Sequence, residues 1–241
     1  MSDKNIMREF QEFGSKMNTI AILTIISFIL GIASWFIRFI GFISLIFNII
    51  IFILFLSALG NIKEAGYELN NRDLLEFRSK IIIAIILGIP GLLFFTLGII
   101  LLVFGFIVVG ILCILMGIVI LLIAAILSIL AWGRLEVFFK TNMNLFPSNI
   151  GNDARTGANL CKIGAILNIT IILSFIGDIL RIIGYFKLGS LKNLGGAPAA
   201  RPAAPTPGPA TVPAPTSRFC PSCGSTVNPG VNYCPSCGSE I

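Results

Sequence analysis

Four cysteines near the C-terminus carry the most legible chemistry in this chain. The tail reads FCPSCGSTVNPGVNYCPSCGSEI, with Cys220 and Cys223 in one C-P-S-C-G unit and Cys234 and Cys237 in a second. Each unit sets two thiolates on one tight turn. Two such turns facing each other make a tetrahedral sulfur cage, the arrangement that Zn2+ prefers. The spacing therefore predicts one structural Zn2+ held by Cys220, Cys223, Cys234 and Cys237, with Asn228-Pro229-Gly230 supplying the reversal between the turns. Iron in the same cage and a thiol–disulfide redox pair are the alternatives, and the second belongs to a βαβ context that this sequence lacks.

Four thiolates fill the coordination sphere and leave no position for water or substrate, so the site reads as structural. A module this short has no meaningful apolar core, and its folding energy must come from the metal. The chain contains no histidine, which excludes imidazole acid–base chemistry and imidazole ligation. No nucleophile–base pair and no paired carboxylates stand in a sensible frame. The chain is expected not to be an enzyme. Cys113 lies inside an apolar block and Cys161 at the edge of one. Cysteines in metal-ligand spacing point to a reducing compartment.

The elements that must carry this tail are unlike those of a soluble domain. Of the 241 residues, 56% are hydrophobic and 12% charged, about half the usual charged share. The apolar residues fall in long blocks, which makes the bilayer the expected solvent. The net charge of +6 is accounted for by loops flanking the spans, the usual cytoplasmic mark. A nucleic-acid surface would need a dense basic patch on one module, and none is visible.

Residues 1–18 place Ile6, Phe10, Phe13 and Met17 three or four apart among charges, an amphipathic pattern expected at the membrane surface. Asp3, Glu9 and Glu12 interrupt any apolar run there, so no cleavable signal is read. The transmembrane domain is expected over 19–188. Its spans are about 19–37, 41–60, 81–104 and 108–132, followed by a fifth apolar segment at 163–188. Trp35 and Arg38 suit the first reversal, and Asn71 is a candidate N-cap inside the 61–80 connector. Gly91, Gly98 and Gly105, and Gly110 and Gly117, recur every seven residues and predict close helix approach. Pro90 is expected to kink the third helix. Residues 189–218 are rich in Pro and Ala and read as an extended spacer, followed by the metal module at 219–241. The fold class is thus an all-α integral membrane helical bundle with a small C-terminal zinc-ribbon module.

The tail from Phe219 to Glu240 is similar to the short zinc-ribbon family and keeps all four ligand positions. The opening hairpin and the segment RTGANLCKIGAILNITIILSFIGDILRIIGYFKLGSL resemble an archaeal family of uncharacterised multi-pass proteins, domain of unknown function 996. That resemblance implies no known activity.

Four spans return the chain to its starting side. If 163–188 crosses once, the zinc ribbon faces outside. If it folds back near Gly177 as a re-entrant hairpin, the tail returns to the cytoplasm, the side that suits a thiolate cluster. Asp178 and Arg181 are three apart. They read as a charged helix end or turn, or alternatively as an intramembrane ion pair. Thr24, Ser27, Asn48 and Asn168 are the notable polar residues of the spans, read as interhelical hydrogen-bonding groups. The leading expectation is a multi-pass protein of the cell membrane that uses a tethered zinc ribbon as an adaptor for a protein partner. Nucleic acid is a further candidate partner without a supporting patch. The alternative is a small oligomeric channel or transporter with the ribbon as an accessory.

Overall fold

The computed structural model describes residues 3–34, 37, 40–170, 173–195, 218–220, 222–223, 225–227, 232–234 and 236–240. Trp35, Arg38, most of the Pro/Ala-rich spacer and the Asn228-Pro229-Gly230 reversal lie outside them. The chain divides into two compact units, Met1–Ala200 and Arg201–Ile241. The first is helical: α1 (Asp3–Ala33), α2 (Ile40–Glu68), α3 (Arg72–Val103), α4 (Ile107–Thr141), α5 (Ser148–Leu167) and α6 (Ser174–Leu188), with 3-10 segments at Met143–Leu145 and Gly189–Gly195. The second holds β1 (Arg218–Phe219) and β2 (Thr226–Val227), paired antiparallel.

Among the described residues, α1 to α4 are long and apolar enough to cross a membrane. Each runs past the expected apolar span at one end. Between α2 and α3 the polar stretch 61–80 is nearly all helix. It breaks only around Asn70, which takes φ of 47°, a left-handed conformation that Asn tolerates. The Asn71 side chain then caps α3, accepting from the N–H groups of Asp73 at 3.0 Å and Leu74 at 3.3 Å. Pro90 lies within a continuous α3.

Residues 3–18 are not a separate surface segment. They open α1, and Phe10, Phe13 and Met17 are fully buried. Phe10 stacks on Phe138 at 5.6 Å between centroids and meets Phe146 edge-on at 5.1 Å. The apolar stripe is consumed by the end of α4 and the turn after it. Full burial of each such side chain is worth about 1.5–3 kcal/mol relative to exposure in water, and here Phe10 makes that contact with the bundle's own rings.

The seven-residue glycine spacing is realised as a seam between α3 and α4. A Cβ on Gly98 would lie 2.8 Å from the Gly110 carbonyl oxygen, and one on Gly117 2.9 Å from that of Gly91. Ala84, Ala124 and Ala131 continue the same spacing and are buried. Gly105 does not belong to the seam. It takes φ of +86° in the α3–α4 reversal, and its vicinity is open.

The chain reverses after α5 ends at Leu167 and before α6 begins at Ser174, the two helices packing side by side. Gly177, the expected fold-back point, lies instead inside α6, where its missing side chain lets the two helices touch. A Cβ there would meet the Gly164 carbonyl oxygen at 2.8 Å, and one on Gly157 would meet that of Gly184 at 2.7 Å. Glycine here serves close approach, and the break falls at the polar Asn168–Thr170 stretch.

The expected spacer also begins later than residue 189. Gly189–Gly195 packs along α1, with Gly14 against the Lys192 nitrogen and Gly189 against Asn18. Leu188 and Leu191 are fully buried and Leu194 is 8% exposed. Their three-residue spacing matches one turn of a 3-10 helix, which puts all three on one face.

This end of the bundle, shared by the start of α1, the α2–α3 turn, the start of α5 and residues 189–195, holds most of the large buried side chains and the ion pairs. Arg134 joins α4 to α3 through Asp73 at 3.2 Å and Glu76 at 3.0 Å. Lys162–Glu136 at 2.8 Å and Lys187–Asp153 at 2.7 Å join α5 to α4 and α6 to α5. Asn61 of α2, 7% exposed, donates to Glu9 at 2.7 Å and Glu12 at 2.9 Å and accepts from Lys16 at 2.5 Å.

Candidate metal centre

The two C-P-S-C-G units fold alike because each repeats the same local bonds. Cys220 N–H donates to the Ser225 carbonyl at 2.9 Å, and Cys234 N–H donates to the Ser239 carbonyl at 2.8 Å. In the second unit Gly238 N–H returns to the Cys234 carbonyl at 2.7 Å. Gly238 adopts φ of +72°, a value that glycine takes without steric cost. The short β1–β2 pairing, Arg218 with Val227 and Phe219 with Thr226, closes the first unit.

These turns bring together all four sequence-predicted ligands, whose sulfurs lie within 4.8 Å of one another. Cys220 Sγ is 3.7 Å from Cys237 Sγ, and Cys223 Sγ is 3.6 Å from Cys234 Sγ. Four sulfurs about 2.3 Å from a central zinc define a tetrahedron with edges of about 3.8 Å. The observed edges fit that cage with small adjustment. Cys220 and Cys234 are 2% exposed, while Cys223 and Cys237 face outward.

Sequence reasoning did not single out two hydroxyls that complete the surroundings. Ser225 Oγ lies 3.0 Å from Cys223 Sγ and 3.3 Å from Cys234 Sγ. Ser239 Oγ lies 2.9 Å from Cys237 Sγ and 3.5 Å from Cys220 Sγ. Both serines follow the second cysteine of their unit by two residues, so the repeat C-P-S-C-G-S held the signal. The Ser225 hydroxyl, with the Ser236 backbone, draws the Cys234 thiol down to about 6. The Ser239 hydroxyl lowers Cys220 in the same way. Ser239 also pulls on Cys237, but the hydrogen bonds that its protonated thiol makes to Cys223 and Cys234, together with desolvation, outweigh it and the net direction is up. Four thiolates held within 4.8 Å of one another would repel, and a divalent cation offsets that charge.

Residues 219–241 match the family model described as a zinc-ribbon domain, and the match leaves residues 1–218 outside it. No curated protein matches the chain, and no solved structure does. The zinc-ribbon domain and its cluster of four cysteines fit one structural zinc ion.

The polar residues of the apolar helices also converge. Ser27 of α1 lies 3.3 Å from the Ser44 hydroxyl of α2, and Asn48 donates to Ser27 Oγ at 3.0 Å. Thr24 turns back to the Ile20 carbonyl at 2.7 Å, and Asn168 donates to Asp178 at 3.0 Å. Asp178 and Arg181 are neither at a helix end nor in a turn. They lie inside α6, 3.8 Å apart, and Arg181 donates to the Tyr185 hydroxyl at 3.1 Å. A cavity of ≈ 360 Å³ is lined by Thr24, Ser27, Ser44, Asn48, Asp178, Arg181 and Tyr185 among others. Ser44 and Tyr185 were missed in the sequence, where a lone serine or tyrosine inside an apolar run carries no signal.

Proposed function

We propose that the chain is a multi-pass membrane protein whose α1–α4 cross the bilayer and whose zinc ribbon docks a protein partner on the cytoplasmic side. The observation that carries this reading is the reversal between α5 and α6. It returns the chain, at Gly189–Gly195, to the end where α1 begins. Lysines and arginines gather at that end: Lys16, Lys63, Arg72, Lys80, Arg134, Lys140 and Arg155 are among them. Of the two connections at the opposite end, Phe104–Phe106 carries no charge and the segment 34–39 contains one, Arg38, and this asymmetry is the cytoplasmic mark. α5 and α6, with 20 and 15 residues, then act as a re-entrant pair. The Pro/Ala-rich composition of residues 196–217 supports their reading as a spacer between the helical unit and the ribbon.

The ribbon is suited to docking because its metal position is closed by four thiolates. A chain ending at residue 195 is expected to stay in the membrane fraction and to lose the partner that crosslinks to the full-length protein in cells. The same partner crosslinked by the truncated chain would refute the assignment. Sidedness is read separately by thiol labelling with an impermeant reagent after zinc removal. Cytoplasmic cysteines label only in inverted vesicles.

A second reading, a small transporter or channel, is favoured by the polar cavity between α1, α2 and α6. Solute flux in proteoliposomes that persists without residues 219–241 would select it.

A further inference from the structure

We propose that the cavity between α6 and the α1–α2 pair binds a small zwitterion, a molecule or headgroup joining an oxyanion to an ammonium. The proposal rests on reading α1–α4 as membrane spans and is independent of the ribbon's role.

Depth comes first. Gly189 packs on Asn18, and Phe175 at the other end of α6 packs on Phe28 at 5.6 Å between centroids. Asn18 to Phe28 is about 15 Å of helix at about 1.5 Å per residue, half of a hydrocarbon core of about 30 Å. The tip of the α5–α6 pair therefore ends near the middle of the membrane. Asp178 and Arg181 share their cavity with Thr24 and Ser27, about 9–14 Å beyond Asn18. Ionisable groups at that depth are costly and mark functional sites.

Orientation comes second. Phe175, Ile176, Ile179, Ile183 and Phe186 form the exposed apolar face of α6. Asp178, Arg181 and Tyr185 occupy the opposite side and line the cavity. Arg181 also lines a second space of ≈ 190 Å³ beside Phe55, Ile81 and Trp132. Its guanidinium thus stands between two voids in the middle of the bundle.

Satisfaction comes third. A guanidinium has five N–H donors. Among the described residues Arg181 makes one hydrogen bond, to Tyr185, and an ion pair with Asp178 too long to be a hydrogen bond. Asp178 accepts one bond, from Asn168. The Asp178 and Arg181 side chains retain 47% and 39% exposure, and both line the cavity. A cation and an anion with spare capacity, side by side, select a ligand with the mirror arrangement. An anion alone would meet Asp178, and a cation alone would meet Arg181. An oxyanion suits Arg181 and the Tyr185 hydroxyl, and an ammonium suits Asp178. The hydroxyls and amide of Ser27, Ser44 and Asn48 furnish the facing wall. The volume falls within the range of small-ligand sites, about 300–1,000 Å³.

Two sources carry this chemistry, a free amino acid and the headgroup of phosphatidylethanolamine. The delipidated, zinc-loaded full-length protein in detergent is titrated with L-alanine and L-leucine, with acetate and methylammonium as singly charged controls. A parallel arm uses native mass spectrometry with phosphatidylethanolamine against phosphatidylglycerol. Saturable one-to-one binding in either arm is expected, weakened tenfold or more by Asp178→Asn and by Arg181→Gln, with the controls weaker. The arm that binds names the source. Tyr185→Phe keeps the ring beside Trp132 and is expected to weaken binding severalfold, which preserves the test if a charge variant fails to fold. Binding in neither arm, equal binding of the controls, or binding unchanged by both Asp178→Asn and Tyr185→Phe would overturn the proposal. Carbonate extraction of membranes reads membrane integration separately, so failure of that premise is distinguishable.

Discussion

Replacing Gly98 by alanine tests whether the α3–α4 seam is held by backbone contact. The added methyl would sit 2.6 Å from Ile114 Cγ1 and 2.8 Å from both the Gly110 carbonyl oxygen and the Ile114 nitrogen. Two of those three neighbours are backbone and cannot rotate away. Ordinary contact at about 3.5–4.0 Å requires the helices to part by roughly 1 Å at that level. Overpacking of this kind costs about 1–3 kcal/mol. Gly88, in the same helix, has nothing within 4 Å of its would-be Cβ. Alanine there should stabilise by up to about 1 kcal/mol through helix propensity. The same propensity gain applies at Gly98 and cancels in the comparison, so the two variants should differ by about 1–3 kcal/mol, the overpacking term alone. Reversible unfolding in mixed detergent micelles, followed by far-ultraviolet circular dichroism, measures the difference. A Gly98→Ala variant within about 0.5 kcal/mol of Gly88→Ala, the usual error of such comparisons, would refute the seam.

Elemental analysis of the purified chain should find one zinc per molecule, and Cys237→Ser should lose most of it while α1–α6 remain folded, as read by circular dichroism. Zinc binding should be full at neutral pH and decline as pH falls through about 6 and below, measured with a chromophoric chelator. The sign follows from Cys234. Hydrogen bonds from the Ser225 hydroxyl and the Ser236 backbone draw its thiol down toward about 6, and because zinc binds thiolates, protons compete with the metal as pH falls. Asn61→Leu should destabilise the helical unit by about 1–3 kcal/mol, because Glu9, Glu12 and Lys16 lose the amide that joins them. The same micelle unfolding assay reads that loss.

Much of this was legible in the sequence for physical reasons. The ligands of a metal cage must recur at fixed short spacing, so Cys220, Cys223, Cys234 and Cys237 announce themselves. Long apolar blocks announce α1–α4, because a continuous apolar run of that length, without the alternation of a strand, reads as a helix long enough to cross a bilayer. What escaped was partner choice between distant segments. The stripe Phe10–Phe13–Met17 has one pattern whether it lies on lipid or on Phe138 and Phe146, and only the fold decides. Gly177 looks alike as a breaker or as a contact surface until Gly164 is found opposite. Leu191 and Leu194 were hidden by the proline-rich composition that begins just after them. Asn61 carried no pattern, since its partners lie 45 to 52 residues away.

The seam between α3 and α4 has one further consequence. Small residues repeating every seven positions on both helices make the interface self-similar under sliding. A shift of seven residues, about 10 Å, would set Gly98 against Gly117 and Gly91 against Ala124, small against small again. The seam therefore fixes how near the helices lie but not how far along each other they slide. That second quantity is left to the short Phe104–Phe106 link at one end and to Arg134 gripping Asp73 and Glu76 at the other. The loop is the ruler of this hairpin, and the glycines are only its rails.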